Sequence, residues 1–388
     1  MAEGSTRKHR RRPRGEGSIY ETAGGRWRGA VVITDPATGL RERRVVSGTS
    51  YEQARDRLAD LKRDVSSGVG AKGGSRTVAA YVGGWLPALE LRVRPATIRG
   101  HEQHLKDYIL PALGALKLRE ITPIHVERMM ATMLAKGRSP STARAVRTTL
   151  GLVLHDAQRD GLLARNVASL ARAPRVERHE MHVLSADETR KLIEGTAEDE
   201  FGPLYALAAT TGLREGEILG LAWPDVEGLD GPVATLTVRH AMARQRDGSY
   251  SLAQPKTSRS RRTIELSAST VRALRHQRSR QNADRLASGQ LWQDRDGLVF
   301  TDEIGRPLRP WVVSKSFSVA LLRLGLPHVR LHDLRHGAAS LLLSQGVPLK
   351  LVSEQLGHST LAITADVYSH VDREMKHEVA AALDRALS

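Results

Sequence analysis

A Gly/Ser-rich stretch from Ser66 to Ser75 divides two hydrophobic periods that one layer of structure cannot satisfy. Before it, short runs alternate or carry β-formers between turn residues, which is the pattern of strands. After it, apolar residues recur every three or four positions, which is the pattern of helices packed on one face. A chain that changes period across a flexible linker builds separate domains on either side. With 388 residues there is room for two or three, each with a sizeable core.

On the amino-terminal side, residues 1–16 form a basic arm, where Arg7, Lys8, Arg10, Arg11, Arg12 and Arg14 face few acidic neighbours. Such an arm either follows a nucleic-acid groove or serves only to keep the chain soluble. Ser18–Tyr20, Arg26–Ile33 and Arg41–Val46 read as strands. Gly24-Gly25 and Asp35-Pro36-Ala37-Thr38-Gly39 provide the turns between them. A helix is expected from about Ser50 to Val65, with Ala54, Leu58, Leu61 and Val65 on its apolar stripe. Residues 17–66 are thus a three-stranded sheet backed by one helix. Arg26, Arg28, Arg41, Arg43 and Arg44 alternate in direction, so some of them line one exposed face. A charged face with no ligand gives the same pattern.

Residues 77–172 read as a helical domain. Thr77, Pro95, Thr122-Pro123 and Ser139-Pro140-Ser141 are helix openers, since an oxygen at the cap satisfies a free amide and Pro suits the first turn. Leu150, Val153, Leu154 and Ala157 form an inward stripe. His101 and His104 have metal-pair spacing, but no third ligand stands near, so they are expected as exposed helix histidines. A polar linker from Ala173 to His182 follows.

The last domain, 180–388, opens at Ser185 and Glu188, a capping-box pair. Leu204, Leu207 and Ala208 lead to a turn at Gly212, and Ile218, Leu219 and Leu221 face inward beyond it. Val233–Arg239 and Arg262–Leu266 are expected strands, with Lys256 in the arm between them. The basic run Lys256, Arg259, Arg261 and Arg262 is otherwise a solvated hairpin. Met375–Leu387 is an amphipathic helix with Val379, Leu383 and Leu387 in line.

Composition narrows the partner. A formal charge of +16 calls for a polyanion, without separating DNA, RNA and anionic lipid. Arg far outnumbers Lys, which suits bidentate phosphate contacts and equally fits a GC-rich coding bias. The absence of Cys excludes disulfides, thiolate zinc sites and thiol nucleophiles, and points to a reducing cytoplasm. No apolar run reaches the ~20 residues of a membrane span, and no apolar stretch follows the basic arm as in a secretory signal. The linker lacks the G-x-x-x-x-G-K-[ST] pattern, so no nucleotide-binding loop is supported.

The chemistry is concentrated in five segments. They are Thr211-Gly212-Leu213-Arg214-Glu215-Gly216-Glu217, Gln254-Pro255-Lys256-Thr257-Ser258, His332-Asp333-Leu334-Arg335-His336, Leu356-Gly357-His358, and Tyr368. Arg presents a planar fork of donors to a phosphate, His moves a proton near neutral pH, and a Tyr hydroxyl can form a covalent ester.

In this order the segments resemble the catalytic domain of the tyrosine recombinases, or phage-type integrases, over about residues 180–375. The resemblance makes Arg214 the first catalytic Arg, Lys256 the hairpin Lys, and His332 with Arg335 the HxxR pair. His358 becomes the LGH histidine and Tyr368 the nucleophile. Gly337 stands where the family usually has Thr, and no catalytic position is touched. The fold so implied is multidomain α+β: an arm-type DNA-binding domain at 17–66, a helical core-binding domain at 77–172, and a mainly α catalytic domain with a small antiparallel sheet at 180–388. The reaction implied is transesterification. Tyr368 attacks a phosphodiester, leaving a 3′-phosphotyrosyl link and a free 5′ hydroxyl, and the reverse step rejoins strands without ATP. Arg214 and Arg335 would clamp the phosphate oxygens as charge builds. His332 would act as base, Lys256 as acid, and His358 as a further donor. Glu217 would orient an Arg or the hairpin. No cofactor and no metal are implied.

The partners implied are double-stranded DNA attachment sites and three further copies of the chain, in a tetramer whose tails dock between subunits. A host DNA-bending protein and an excisionase also fit the resemblance. An Xer-like chromosome or plasmid dimer resolvase shares the chemistry, but resembles only the two later domains. A DNA-binding regulator would not need the full catalytic set, and a metal-free RNase would not need Tyr368.

Overall fold

The computed structural model describes residues 17–34, 41–66, 76–177, 182–254, 261–294 and 296–357. The basic arm, the Asp35–Gly39 turn, most of the linker and the expected helix Met375–Leu387 lie outside the described residues. The chain divides into two compact units, residues 1–177 and 178–388.

The first unit begins with an antiparallel sheet in the order β1 (Ser18–Glu21), β2 (Trp27–Thr34), β3 (Arg41–Gly48), followed by α1 (Tyr51–Ser66). The register pairs Tyr20 with Arg28, Val32 with Arg43 and Thr34 with Arg41. Paired residues share a face, so Arg28, Arg41 and Arg43 lie on one side with Tyr20, and all four are exposed. Arg44, paired with Val31, points to the opposite side. Ala54 and Leu58 of α1 are buried where the helix covers the sheet. The side chain of Val65 lies outside the described residues.

A helical bundle follows: α2 (Val78–Glu90), α3 (Pro95–His104), α4 (Leu110–Leu113), α5 (Pro123–Ala135), α6 (Pro140–Arg159) and α7 (Val167–Leu170). The expected caps close. Thr77 Oγ1 accepts from Ala80 N–H at 3.2 Å, and Ser139 Oγ accepts from Thr142 N–H at 3.2 Å. Leu150, Val153, Leu154 and Ala157 are wholly buried in one core with Trp85, Ile98 and Ile109. A wide π turn at Leu105–Ile109 joins α3 to α4. Asp156 is buried and ties α2 to α6. It accepts from Trp85 Nε1 at 2.8 Å and pairs with Arg92 at 2.6 Å, and Arg92 holds its carboxyl below the usual range despite the opposing push of burial.

His101 and His104 depart from expectation. Both are half-buried, and their Nδ1 atoms lie 3.0 and 2.8 Å from the hydroxyl of buried Thr149. Burial pulls both imidazoles below their ordinary pKa. Their spacing serves a shared hydroxyl on α6. Among the described residues, no three acidic or histidine side chains are grouped to hold a metal.

The second unit opens with α8 (Ala186–Gly195). Ser185 N–H donates to Glu188 Oε2 at 2.8 Å and Glu188 N–H returns to Ser185 Oγ at 3.3 Å. Next come α9 (Gly202–Thr211) and α10 (Glu215–Leu219). A small antiparallel sheet runs β4 (Val226–Glu227), β5 (Thr235–Thr237) and, after an intervening hairpin, β8 (Thr263–Glu265). That hairpin, β6 (Ala241–Arg244) with β7 (Tyr250–Ala253), was not expected. It turns at Asp247-Gly248, where Gly248 has φ 91°. The expected strands at Val233–Arg239 and Arg262–Leu266 are present but shorter. Then follow α11 (Ala268–Ser288), α12 (Pro310–Arg323), α13 (Asp333–Ser344) and α14 (Leu349–Leu356). Leu204, Leu207, Ile218, Leu236, Phe300, Phe317 and Leu334 share the core of this unit. No helix among the described residues is long and apolar enough to cross a membrane.

Candidate active site

Two glycine-terminated helix ends build the site. Both α9 and α14 stop at a left-handed residue, Gly212 at φ 65° and Gly357 at φ 67°. Only a residue without a Cβ takes this conformation at little cost. At Gly212 a Cβ would also fall 2.4 Å from Leu356 Cδ2, so the two helix ends are in contact. Their last carbonyls have no partner within the helix and need donors from elsewhere.

Arginines supply those donors. Arg335, 2 % exposed, donates to Gly212 O and to Leu356 O, both at 2.7 Å. Arg214 follows the first turn and donates to Gly357 O at 2.9 Å. Its other terminal nitrogen pairs with Glu217 Oε1 at 2.7 Å, and its backbone N–H donates to Glu217 Oε2 at 3.1 Å. Arg214 and Arg335, far apart in sequence, therefore meet on the same two turns. Arg214 keeps 38 % of its side chain open, enough to present donors to an incoming anion.

Glu217 is nearly buried and serves two cations, since Arg262 also reaches Oε2 at 3.0 Å. Burial would raise its pKa, but Arg262 and Arg214 together hold it below the usual carboxylate range. Arg262 further donates from Nε to Gln355 O. Arg261 remains exposed, as a solvated hairpin would have it, but Arg262 departs from that reading with its side chain 7 % exposed. No signal in the sequence distinguishes the two neighbouring arginines.

His332 stands at the N-cap position of α13, exposed and without a side-chain capping hydrogen bond, while Arg335, one turn on, points inward. Arg330 fixes this helix start by pairing with Asp333 at 2.9 Å. The His332 ring stands edge-on to His336, centroids 5.5 Å apart. Desolvation, His336 and Arg335 pull the His332 pKa below its ordinary value. At neutral pH its nitrogen is therefore free to accept a proton. Lys256, His358 and Tyr368 lie outside the described residues. His358 directly follows Gly357, whose carbonyl takes Arg214.

Comparisons with known proteins identify the chain's relatives. Residues 183–375 match the model of the phage integrase family, and residues 77–134 match the phage integrase N-terminal SAM-like domain. An integrase of Streptomyces ambofaciens is 30% identical, with 92% of this chain and 93% of that protein covered. An integrase of Saccharopolyspora erythraea is 28% identical over 96% of this chain and 97% of its own length. A tyrosine recombinase XerC-like protein of Caldanaerobacter subterraneus is 28% identical over 90% and 93%. The fold is shared with the Tn1549 transposon integrase in complex with transposon right end DNA, at a TM-score of 0.65 and 18% identity over 78% of this chain and 99% of that one. A lambda integrase dimer bound to a core site gives 0.55 at 18% identity, over 93% and 96%. With its described arginines joined at the two turns and its relatives aligned over nearly their whole lengths, the chain belongs to the phage integrase family and is a site-specific tyrosine recombinase.

Proposed function

We propose that this recombinase is the integrase of a mobile element, joining and separating double-stranded DNA at attachment sites in the cytoplasm. The observation that carries the catalytic assignment is the meeting of Arg214 and Arg335 on the Gly212 and Gly357 turns. Two guanidinium groups held there by backbone carbonyls are positioned before substrate arrives, and preorganised charge is most effective at a transition state.

In the proposed reaction Tyr368 attacks the scissile phosphorus and the bond to the 5′ oxygen breaks. His332 receives the Tyr proton, and Lys256 protonates the leaving oxygen. Arg214 and Arg335 hold the non-bridging oxygens, with His358 as a further donor. Four copies would hold two duplexes; lambda integrase is seen as a tetramer bound to a Holliday junction. Residues 17–66 would engage distal arm sites, 77–172 the core site, and 180–388 the scissile phosphate. A host DNA-bending protein and an excisionase would set direction.

The integrase reading is supported by relatives named integrase that cover 96% and 92% of this chain. The XerC-like relative supports a second reading, resolution of chromosome or plasmid dimers. A nicked core duplex should trap a covalent protein–DNA adduct on a denaturing gel. An integrase then joins attachment sites on two separate molecules, whereas a resolvase recombines directly repeated sites on one.

A further inference from the structure

The last three carbonyls around the end of α14 each receive a different arginine. Gln355 O takes Arg262, Leu356 O takes Arg335, and Gly357 O takes Arg214. Two of these arginines belong to the proposed catalytic set. The third, Arg262, has no assigned part in the reaction. It directly precedes β8, on the chain that returns from the Lys256 segment.

We propose that Arg262 is a positioning residue for catalysis, acting through Glu217 on Arg214; this rests on the assignment of Arg214 to the scissile phosphate. The geometry sets its part. The Arg262 side chain is 7 % exposed and is directed at the protein's own acceptors. It divides its fork between the Glu217 carboxylate and the Gln355 carbonyl. Glu217 in turn holds Arg214, and Arg214 closes the circuit on Gly357, two residues beyond Gln355. One planar group thus fixes the distance between the Glu217 carboxylate and the end of α14. Without it the full charge of Glu217 falls on Arg214, drawing that guanidinium toward the carboxylate and away from a phosphate.

A lysine cannot replace this fork. It keeps the charge but offers one point of attachment, with no second nitrogen at a fixed angle. A role of charge alone would survive Arg262→Lys, and a positioning role would not.

The test uses the full chain and two nicked core duplexes, one with the normal scissile phosphate and one with a neutral methylphosphonate there. Single-turnover adduct formation, core-duplex affinity and thermal midpoint are measured for the wild type, Arg262→Lys, Arg262→Ala and Arg214→Ala. Misplacing a catalytic group by an ångström costs about 10²-fold in rate, and a loss of that order is expected for both Arg262 variants, with duplex affinity retained. On the methylphosphonate, where less charge needs stabilising, the Arg262 defect should shrink together with that of Arg214→Ala. Arg262→Lys retains the buried charge and keeps the test valid if Arg262→Ala unfolds. Wild-type rates in Arg262→Lys, or a defect equal on both duplexes, would overturn the proposal. Absence of adduct from the wild type would instead overturn the functional reading beneath it.

Discussion

At the residue scale, the proposed reaction divides proton transfer from charge stabilisation between His332 and Arg335. Arg335 is buried against two carbonyls and keeps its charge at any working pH, because guanidinium does not titrate there. His332 sits at the edge, and its neighbourhood moves its pKa down from 6.5. A depressed value means that the neutral ring, the form able to take the Tyr proton, prevails throughout the neutral range. Protonation, and with it loss of the base, comes only on acidification below the ordinary histidine value. The cleavage rate should therefore stay level through neutral pH with respect to this group and fall only under more acid conditions. Single-turnover rates of the wild type and His332→Gln across pH will show this. If the limb lost in the variant has its midpoint above 6.5, His332 is not the base with the environment described.

At the scale of elements, α9 and α14 matter through how they end. Gly212→Ala places a Cβ on a left-handed backbone and against Leu356, so both the turn and the carbonyl that holds Arg335 must shift. Strain of this kind costs of order 1–3 kcal/mol, and adduct formation should fall by more than the stability loss explains. Denaturant unfolding and single-turnover cleavage, measured side by side, will separate the two effects. Equal losses in both would mean that the turn supports the fold alone.

Elements of this kind were unevenly legible in the sequence. Helix starts at Thr77, Ser139 and Ser185 were readable because capping is local chemistry between residues three apart. The stripe Leu150, Val153, Leu154 and Ala157 was readable because one face must bury. The β6–β7 hairpin carries a signal, Asp247-Gly248 between short runs, that is weaker than the signal of the strands beside it. Arg262 left none. Its burial depends on Glu217 and Gln355, both remote in sequence, and a basic run looks alike whether one member is buried or all are solvated. The same holds for His101 and His104, whose partner Thr149 lies three helices on, in α6.

Across the whole molecule, every proposed catalytic residue lies beyond the first unit, while the arginine-bearing face of β2 and β3 lies within it. If the two DNA contacts are separate, removal of residues 1–75 should abolish protection of distal sites, yet leave cleavage of a short core duplex intact. The truncated protein should also fail to recombine full attachment sites, since tethered modules gain from effective concentration only when both bind. Footprints of truncated and intact proteins on one attachment site will check this. Identical footprints would remove the arm-binding role from residues 17–66.

The central claim is that Tyr368 forms a covalent bond to DNA within a site preassembled by Arg214 and Arg335. Tyr368→Phe deletes one oxygen and leaves the charge of the site untouched. With a nicked core duplex, the wild type should accumulate adduct resistant to denaturant. The variant should bind that duplex with nearly unchanged affinity and give no adduct. Adduct from Tyr368→Phe at the wild-type level would contradict the account, because the nucleophile would then be another residue.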